Sequence, residues 1–289
     1  MKRLDGVEVG ALILLLAAIV LALLHWESVQ RVIGYVLHEP PPATQAPAAS
    51  PSPATPTVTA RVSPPASQPA AQLQVPAASQ PLPALRDSDR AFADALGELL
   101  GPARLAQWWV ADHLIIHLVA TIDNLPRAQV PQRAWPVRPT PGSLQVQRQD
   151  GSLVLAPANS ARYAPYMAMV RMVDPQRLVA VYLRFYPLFQ QAWRELGYPH
   201  GSFNQRLLQV IDNLLEAPEP AAALQLVQPH VLYQYADPGL EAASAGQKIL
   251  MRIGPANERL VKAKLRALRA QLLLHMHAAA PAPTASQAH

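Results

Sequence analysis

The chain has 289 residues, 31 of them proline and none cysteine, with 24 basic against 19 acidic side chains for a formal charge of +5. The missing cysteine excludes a disulfide framework, a thiol nucleophile and every thiolate metal site. Proline at roughly twice its usual share of about 5%, beside only 15% charged residues, indicates segments that cannot all belong to one packed core.

From Val9 to Leu24 no side chain is charged or strongly polar, and Trp26 closes the run after His25. As a helix, residues 9–26 would span about 27 Å, close to the thickness of a bilayer's hydrocarbon core. Lys2 and Arg3 precede the run, so the basic end is expected to stay in the cytoplasm while the rest of the chain crosses. A cleaved leader has a shorter apolar stretch that ends at small residues, and Leu23-Leu24-His25-Trp26-Glu27 offers no such site. Residues 1–39 therefore read as a cytoplasmic start, a transmembrane anchor and a juxtamembrane segment.

From Pro40 to Pro83 there are 13 prolines and 11 alanines, with Arg61 the only charge. No apolar periodicity survives that density of proline, so residues 40–84 read as a disordered linker. In extended polyproline II the contour from Pro40 to Pro83 would reach about 136 Å. Residues 278–289 repeat the Ala/Pro character and read as a disordered tail.

Helical periodicity starts at Leu85. Ser88, with Asp87 and Asp89, is expected to cap a helix carrying Phe92, Leu96, Leu99 and Leu100. Pro102 opens a second apolar stripe, from Leu105 through Trp108 and Trp109 to Ile122, which ends at Leu125-Pro126. After a proline-rich excursion, residues 144–155 read as a β-hairpin with Asp150-Gly151 at its turn. Ser160 is expected to cap a helix from Tyr163 to Val173. Asp174-Pro175 opens a long helix that contains Pro187 and stops at Gly197. A helix from Phe203 to Leu215, short extended pieces near 224–227 and 231–235, a helix from Ser244 to Ile253 and a last one from Asn257 to His275 complete the pattern. The fold class is mainly α: a transmembrane helix, a Pro/Ala-rich linker, and one compact helical domain over 85–277 with a small hairpin.

Four blocks of residues in that domain carry a resemblance. They are Val119-Ala120-Thr121-Ile122-Asp123-Asn124-Leu125-Pro126-Arg127; Tyr186 to Trp193 with Leu196-Gly197-Tyr198-Pro199; Phe203-Asn204 with Arg206-Leu207 and Val210-Ile211-Asp212; and Tyr235-Ala236-Asp237-Pro238 through Ala245-Gly246-Gln247-Lys248. Together they resemble a proteobacterial family, domain of unknown function 3014. Its members share an N-terminal span, a variable Pro-rich linker and one such domain. The resemblance implies residence in the Gram-negative envelope, with the domain in the periplasm. It brings no catalytic residues.

The chemistry is sparse. His113 and His117 stand at i, i+4 beside Asp112, the spacing of a helical zinc pair, but Leu114 takes the place of the glutamate that a hydrolytic zinc helix needs. No nucleophile elbow, phosphate loop or dinucleotide fingerprint is present, and no cofactor is expected. Carboxylates for glycan cleavage, Asp123, Glu195, Asp212, Asp237 and Glu241, qualify by residue type alone; Asp212, within an amphipathic helix, is expected to pair with an arginine. In the last helix, Arg259, Lys262, Arg266 and Arg269 fall on one face, a candidate for an anionic surface. Tyr182, Phe185, Tyr186, Phe189 and Trp193 follow helical spacing and are expected in the core.

The binding candidates are motif-block polar residues at or near helix ends: Asp123, Asn124 and Arg127; Asn204 and Arg206; Gln247 and Lys248. Helix ends leave backbone groups that either take side-chain caps or meet ligands. The function expected is an anchored periplasmic interaction or scaffold domain whose partners are the inner membrane, through residues 9–26, and an envelope protein or the cell wall. Nucleic acid is not an expected partner. The competing expectation is an envelope enzyme that acts on wall or lipid substrates through carboxylates.

Overall fold

The computed structural model of the chain describes residues 73, 81–102, 112–130, 143–229 and 232–277. The expected anchor over 9–26, nearly all of the linker, the Trp108-Trp109 stretch, the proline-rich excursion from 131 and the tail lie outside them. Among the described residues no helix is long and apolar enough to cross a membrane.

After a 3-10 turn at Leu85–Asp87, the elements run α1 (Asp89–Leu100), α2 (Leu114–Asn124), β1 (Val146–Gln149), β2 (Ser152–Leu155), α3 (Asn159–Arg162), α4 (Ala164–Met172) and α5 (Pro175–Glu195). Then come α6 (Phe203–Leu215), β3 (Gln225–Val227), β4 (Gln234–Tyr235), α7 (Pro238–Glu241), α8 (Ala245–Arg252) and α9 (Pro255–His277). The domain is mainly helical, as its periodicity predicts.

Helix α5 is the spine, with α1, α2 and α9 packed along it. Asp174 caps it by accepting the Arg177 N–H at 3.0 Å, Pro175 sits in its first turn and Pro187 lies inside it. The aromatic stripe fills the core: Phe92 of α1 meets Phe185 and Phe189 edge-on at 5.1 and 5.7 Å, and Phe203 of α6 stacks on Phe189 at 5.7 Å. Such edge-to-face and offset pairs add to the stabilisation that burial alone gives.

The hairpin closes as the sequence predicts. Asp150 and Gly151 both have positive φ, 50° and 81°, the turn geometry that matches the twist of paired strands. The hairpin is half of a larger sheet, however. Strands β1-β2-β3-β4 form one antiparallel sheet in that order, with Leu153 opposite Leu226 and Leu226 opposite Tyr235. Leu226, Tyr235 and Met251 of α8 make a second small core beneath it. Asn159 joins sheet to helices, since its buried amide donates to the Gln145 carbonyl at 2.6 Å and accepts that residue's N–H at 3.0 Å.

Three local expectations need correction. Ser88 does not cap α1: its hydroxyl donates back to the Leu85 carbonyl at 2.7 Å. The second helix does not run unbroken from Pro102 to Ile122, because His113 has φ +55° and α2 starts only at Leu114. Ser160 lies within α3, and α4 starts at Ala164 with Pro165 in its first turn. In the second case a contact distant in sequence, and in the third a neighbouring proline, decides where the helix starts.

Candidate functional site

The four motif blocks, separated by up to about 130 positions in the sequence, converge on one corner. Its centre is Asp123, in the last turn of α2, whose side chain is 3% exposed. Arg206, in the first turns of α6, donates from Nε to Asp123 Oδ1 at 2.8 Å and from Nη2 to the Asp123 backbone carbonyl at 2.8 Å. One guanidinium edge thus holds both the carboxylate and the end of the helix that carries it. Arg127 approaches from the loop after α2, with Nη2 at 2.6 Å from Asp123 Oδ2.

Tyr198 completes the arrangement. Its hydroxyl donates to Asp123 Oδ2 at 3.1 Å and accepts from Arg127 Nη2 at 3.0 Å. Its ring lies flat on Trp193, with centroids 3.9 Å apart and planes 10° from parallel. The loop between α5 and α6 that bears Tyr198 is fixed further along by Gln190, which donates to the Gly201 carbonyl at 2.8 Å and accepts the Phe203 N–H at 2.9 Å. Tyr198 lies in a motif block but outside the expected binding residues; its signal in the sequence is its place between Gly197 and Pro199 in a short helix connection.

The fourth block enters through the start of α8. Ala245 N–H donates to the Arg127 carbonyl at 2.7 Å and Gly246 N–H to the Leu125 carbonyl at 2.9 Å. Two helix ends therefore satisfy one another's unpaired backbone groups. Glycine is favoured at 246, because a Cβ there would overlap the Leu214 side chain and lie 3.3 Å from the Leu125 carbonyl, so Leu214 would have to move.

The remaining candidates serve as ties between elements. Asn124 donates to the Ala120 carbonyl at 2.6 Å within its own helix. Asn204 is fully buried, accepts from the Tyr182 hydroxyl at 3.3 Å and donates to Met276 sulfur at 3.2 Å, so it joins α5, α6 and α9. Burial of the Tyr182 hydroxyl pushes its pKa well above the ordinary tyrosine range. Gln247 completes a capping box with Ser244 and donates to the Asn213 carbonyl at 2.8 Å. Lys248 pairs with Glu241 at 2.7 Å, and Glu241 also accepts the Tyr235 N–H at 2.9 Å.

The basic face of the last helix is divided. Arg259 and Arg266 are exposed. The Lys262 side chain, 3% exposed, turns inward instead: its Nζ donates to the Ala217 carbonyl at 2.6 Å and to Glu219 at 2.7 Å, and lies 3.1 Å from Glu258. Burial raises the pKa of Glu258, while the hydrogen bond from Lys262 and its charge lower that of Glu219. Arg269 holds Asp212 through two contacts, at 2.6 and 3.3 Å, which is the pairing expected for that acid. Lys264 donates to the Val173 carbonyl at 2.6 Å, just past the end of α4.

His113 is exposed and His117 half-buried, and among the described residues no three His, Asp or Glu side chains are grouped to hold a metal. The five candidate carboxylates each have a partner of their own. Asp123 faces two arginines, Asp212 faces Arg269, Glu241 faces Lys248, Glu195 accepts from Gln191 at 2.9 Å, and Asp237 caps α7 through the Gly239 and Leu240 N–H groups.

Residues 114–269 match the family described as Protein of unknown function (DUF3014). That stretch contains every member of the Asp123 corner. No curated protein and no solved structure matches the chain.

Proposed function

The chain belongs to the DUF3014 family, and from the corner where its motif blocks meet we propose that it is a non-enzymatic interaction domain. We place it in the periplasm of a Gram-negative envelope, on an inner-membrane anchor at residues 9–26 and a Pro/Ala tether. The observation that carries the non-enzymatic reading is the pairing of the acids. Acid–base cleavage of a glycan needs two carboxylates about 5–10 Å apart across the scissile bond. Here each candidate carboxylate is engaged by its own cation, amide or helix start, and even Asp237 and Glu241, at the two ends of α7, serve different partners. The length of the tether supports the reach, since a domain that acts at the inner membrane surface has no need of more than 40 extended residues.

Chemical crosslinking of the full-length chain in cells, with identification of what it captures, tests the reading. A specific envelope protein or wall adduct is the expected result. Absence of any adduct, together with turnover of wall or lipid substrate by the purified chain, would instead favour the enzyme. A tether shortened by half should weaken the cellular role and leave the melting temperature unchanged; full function with the short tether removes the argument from reach. A reporter active only outside the cytoplasm, fused after Ala278, should be active.

A further inference from the structure

We propose that the Arg127–Arg206 pair above Asp123 is a docking point for a carboxylate on an acidic segment of the partner protein. This rests on the interaction reading above and names the surface and the chemistry of what meets it.

Two guanidiniums share one carboxylate, so the corner holds one positive charge in excess. Arg127 uses Nη2 alone, for Asp123 and Tyr198. Its Nε–H and both Nη1–H donors have no acceptor among the described residues, and the side chain is 53% exposed. Arg206 uses Nε and Nη2, which leaves Nη1 without an acceptor among the described residues on a side chain 25% exposed. Guanidinium donors left over in this way favour oxyanions, with charge-assisted hydrogen bonds about twice as strong as neutral ones.

The arginines are also held in place beforehand. A free surface arginine loses rotamer freedom when it binds, and that loss offsets much of the gain. Arg127 is already fixed by Asp123 and by a tyrosine stacked on Trp193. Stability alone does not account for such a cluster, because a buried ion pair is often matched or bettered by apolar residues of similar volume.

A protein carboxylate fits better than a bilayer. An anionic membrane surface is met by a broad basic plane, but on the last helix Lys262 is buried, Lys264 holds the end of α4 and Arg269 is paired. What remains at the corner is a localised excess charge, suited to one or two acidic side chains.

The test places a photoreactive amino acid at Ala128, exposed beside Arg127, in the full-length chain in cells. A second position, Gln147 on β1, serves as reference. A protein adduct from 128 is expected, mapping to a peptide rich in Asp and Glu. It should fall about tenfold or more in Arg127→Glu and in Arg127→Gln, with unchanged circular dichroism and, for Arg127→Gln, at most a small fall in melting temperature. Exchange of the mapped acid for lysine in the partner should restore the adduct to Arg127→Glu. If Arg127→Glu does not fold, the neutral Arg127→Gln decides.

A protein adduct from 147 alone leaves the interaction reading standing and overturns the corner. No protein adduct from either position overturns the corner as well, and the interaction reading falls with it only if crosslinking over the whole chain also captures nothing. An adduct from 128 that persists in the Arg127 variants, maps to a peptide without acids, or is lipid also overturns the assignment, the last giving the corner to a membrane.

Discussion

Asp89, the first residue of α1, caps α2 instead of its own helix: its Oδ2 accepts the His113 N–H at 2.7 Å and its Oδ1 the Leu114 N–H at 2.8 Å. This contact across 25 positions allows His113 to keep its left-handed backbone, which a β-carbon makes unfavourable. Asp89→Ala should cost about 1–2 kcal/mol, the range of a lost N-cap. Ser88→Ala should not reproduce the loss of α2 protection, since Ser88 caps neither helix. Urea denaturation with amide exchange at residues 114–117 separates the two.

Asp123→Ala removes the one carboxylate that two arginines and Tyr198 share. A loss of about 1–3 kcal/mol is expected, below the roughly 3–5 kcal/mol for breaking a fully buried pair, because Arg127 can turn to water. Arg127→Ala should cost about 1 kcal/mol or less, as exposed pairs do. Equal costs for the two variants, measured by denaturant unfolding, would show that Arg127 is as structural as Asp123.

Gly246→Ala should destabilise by about 1–3 kcal/mol through overpacking against Leu214. Leu214→Ala, introduced into that variant, opens the space the new methyl needs. The double variant should therefore cost less than the sum of the single changes. A thermodynamic cycle on unfolding free energies reads this directly.

The buried Lys262 cluster gives stability opposite slopes with pH. The pKa of Glu258 is raised on folding, so the folded chain holds that proton more tightly, and stability falls as pH rises from the ordinary carboxylate range to the raised value. The pKa of Glu219 is lowered, so its contribution is present above the ordinary range and disappears as pH falls through the lowered value. Glu258→Gln should therefore gain on the parent chain as pH rises just above the ordinary Glu range, about 4.3. Glu219→Gln should lose ground as pH rises toward that range from below. Thermal unfolding from acid to neutral pH is the measurement, and a constant offset for Glu258→Gln would refute the assignment.

How much of this was legible in the sequence differs by element. The helices α5, α6, α8 and α9 follow from amphipathic spacing and from local punctuation such as Asp174-Pro175 and Gly254-Pro255, and the hairpin follows from Asp150-Gly151. These signals lie within a few residues of what they specify. The start of α2 was not legible, because its cap comes from Asp89 in another helix. Lys262 reads as part of a basic face for an anionic surface, since basic residues recurring at three and four positions share one side of a helix. The glutamate one turn earlier, Glu258, was the local hint that this lysine had a partner. Asp123 and Arg127 stand at i, i+4, a spacing that pairs them, but Arg206 and Tyr198 reach Asp123 across 83 and 75 positions, and no spacing rule reaches that far.

The bonds from Ala245 and Gly246 to the carbonyls of Arg127 and Leu125 set an order of events during synthesis. The end of α2 leaves the ribosome more than a hundred residues before the start of α8. Until then those two carbonyls have only water, and Asp123 waits also for Tyr198 and Arg206. The corner is thus among the last parts of the domain that can close, and a chain cut before Ser244 lacks both the bonds that finish the corner and α9, which packs along the spine. Whatever meets Arg127 meets a completed molecule, so a fragment released early by proteolysis or stalled translation would lack the assembled surface through which the full chain is recognised.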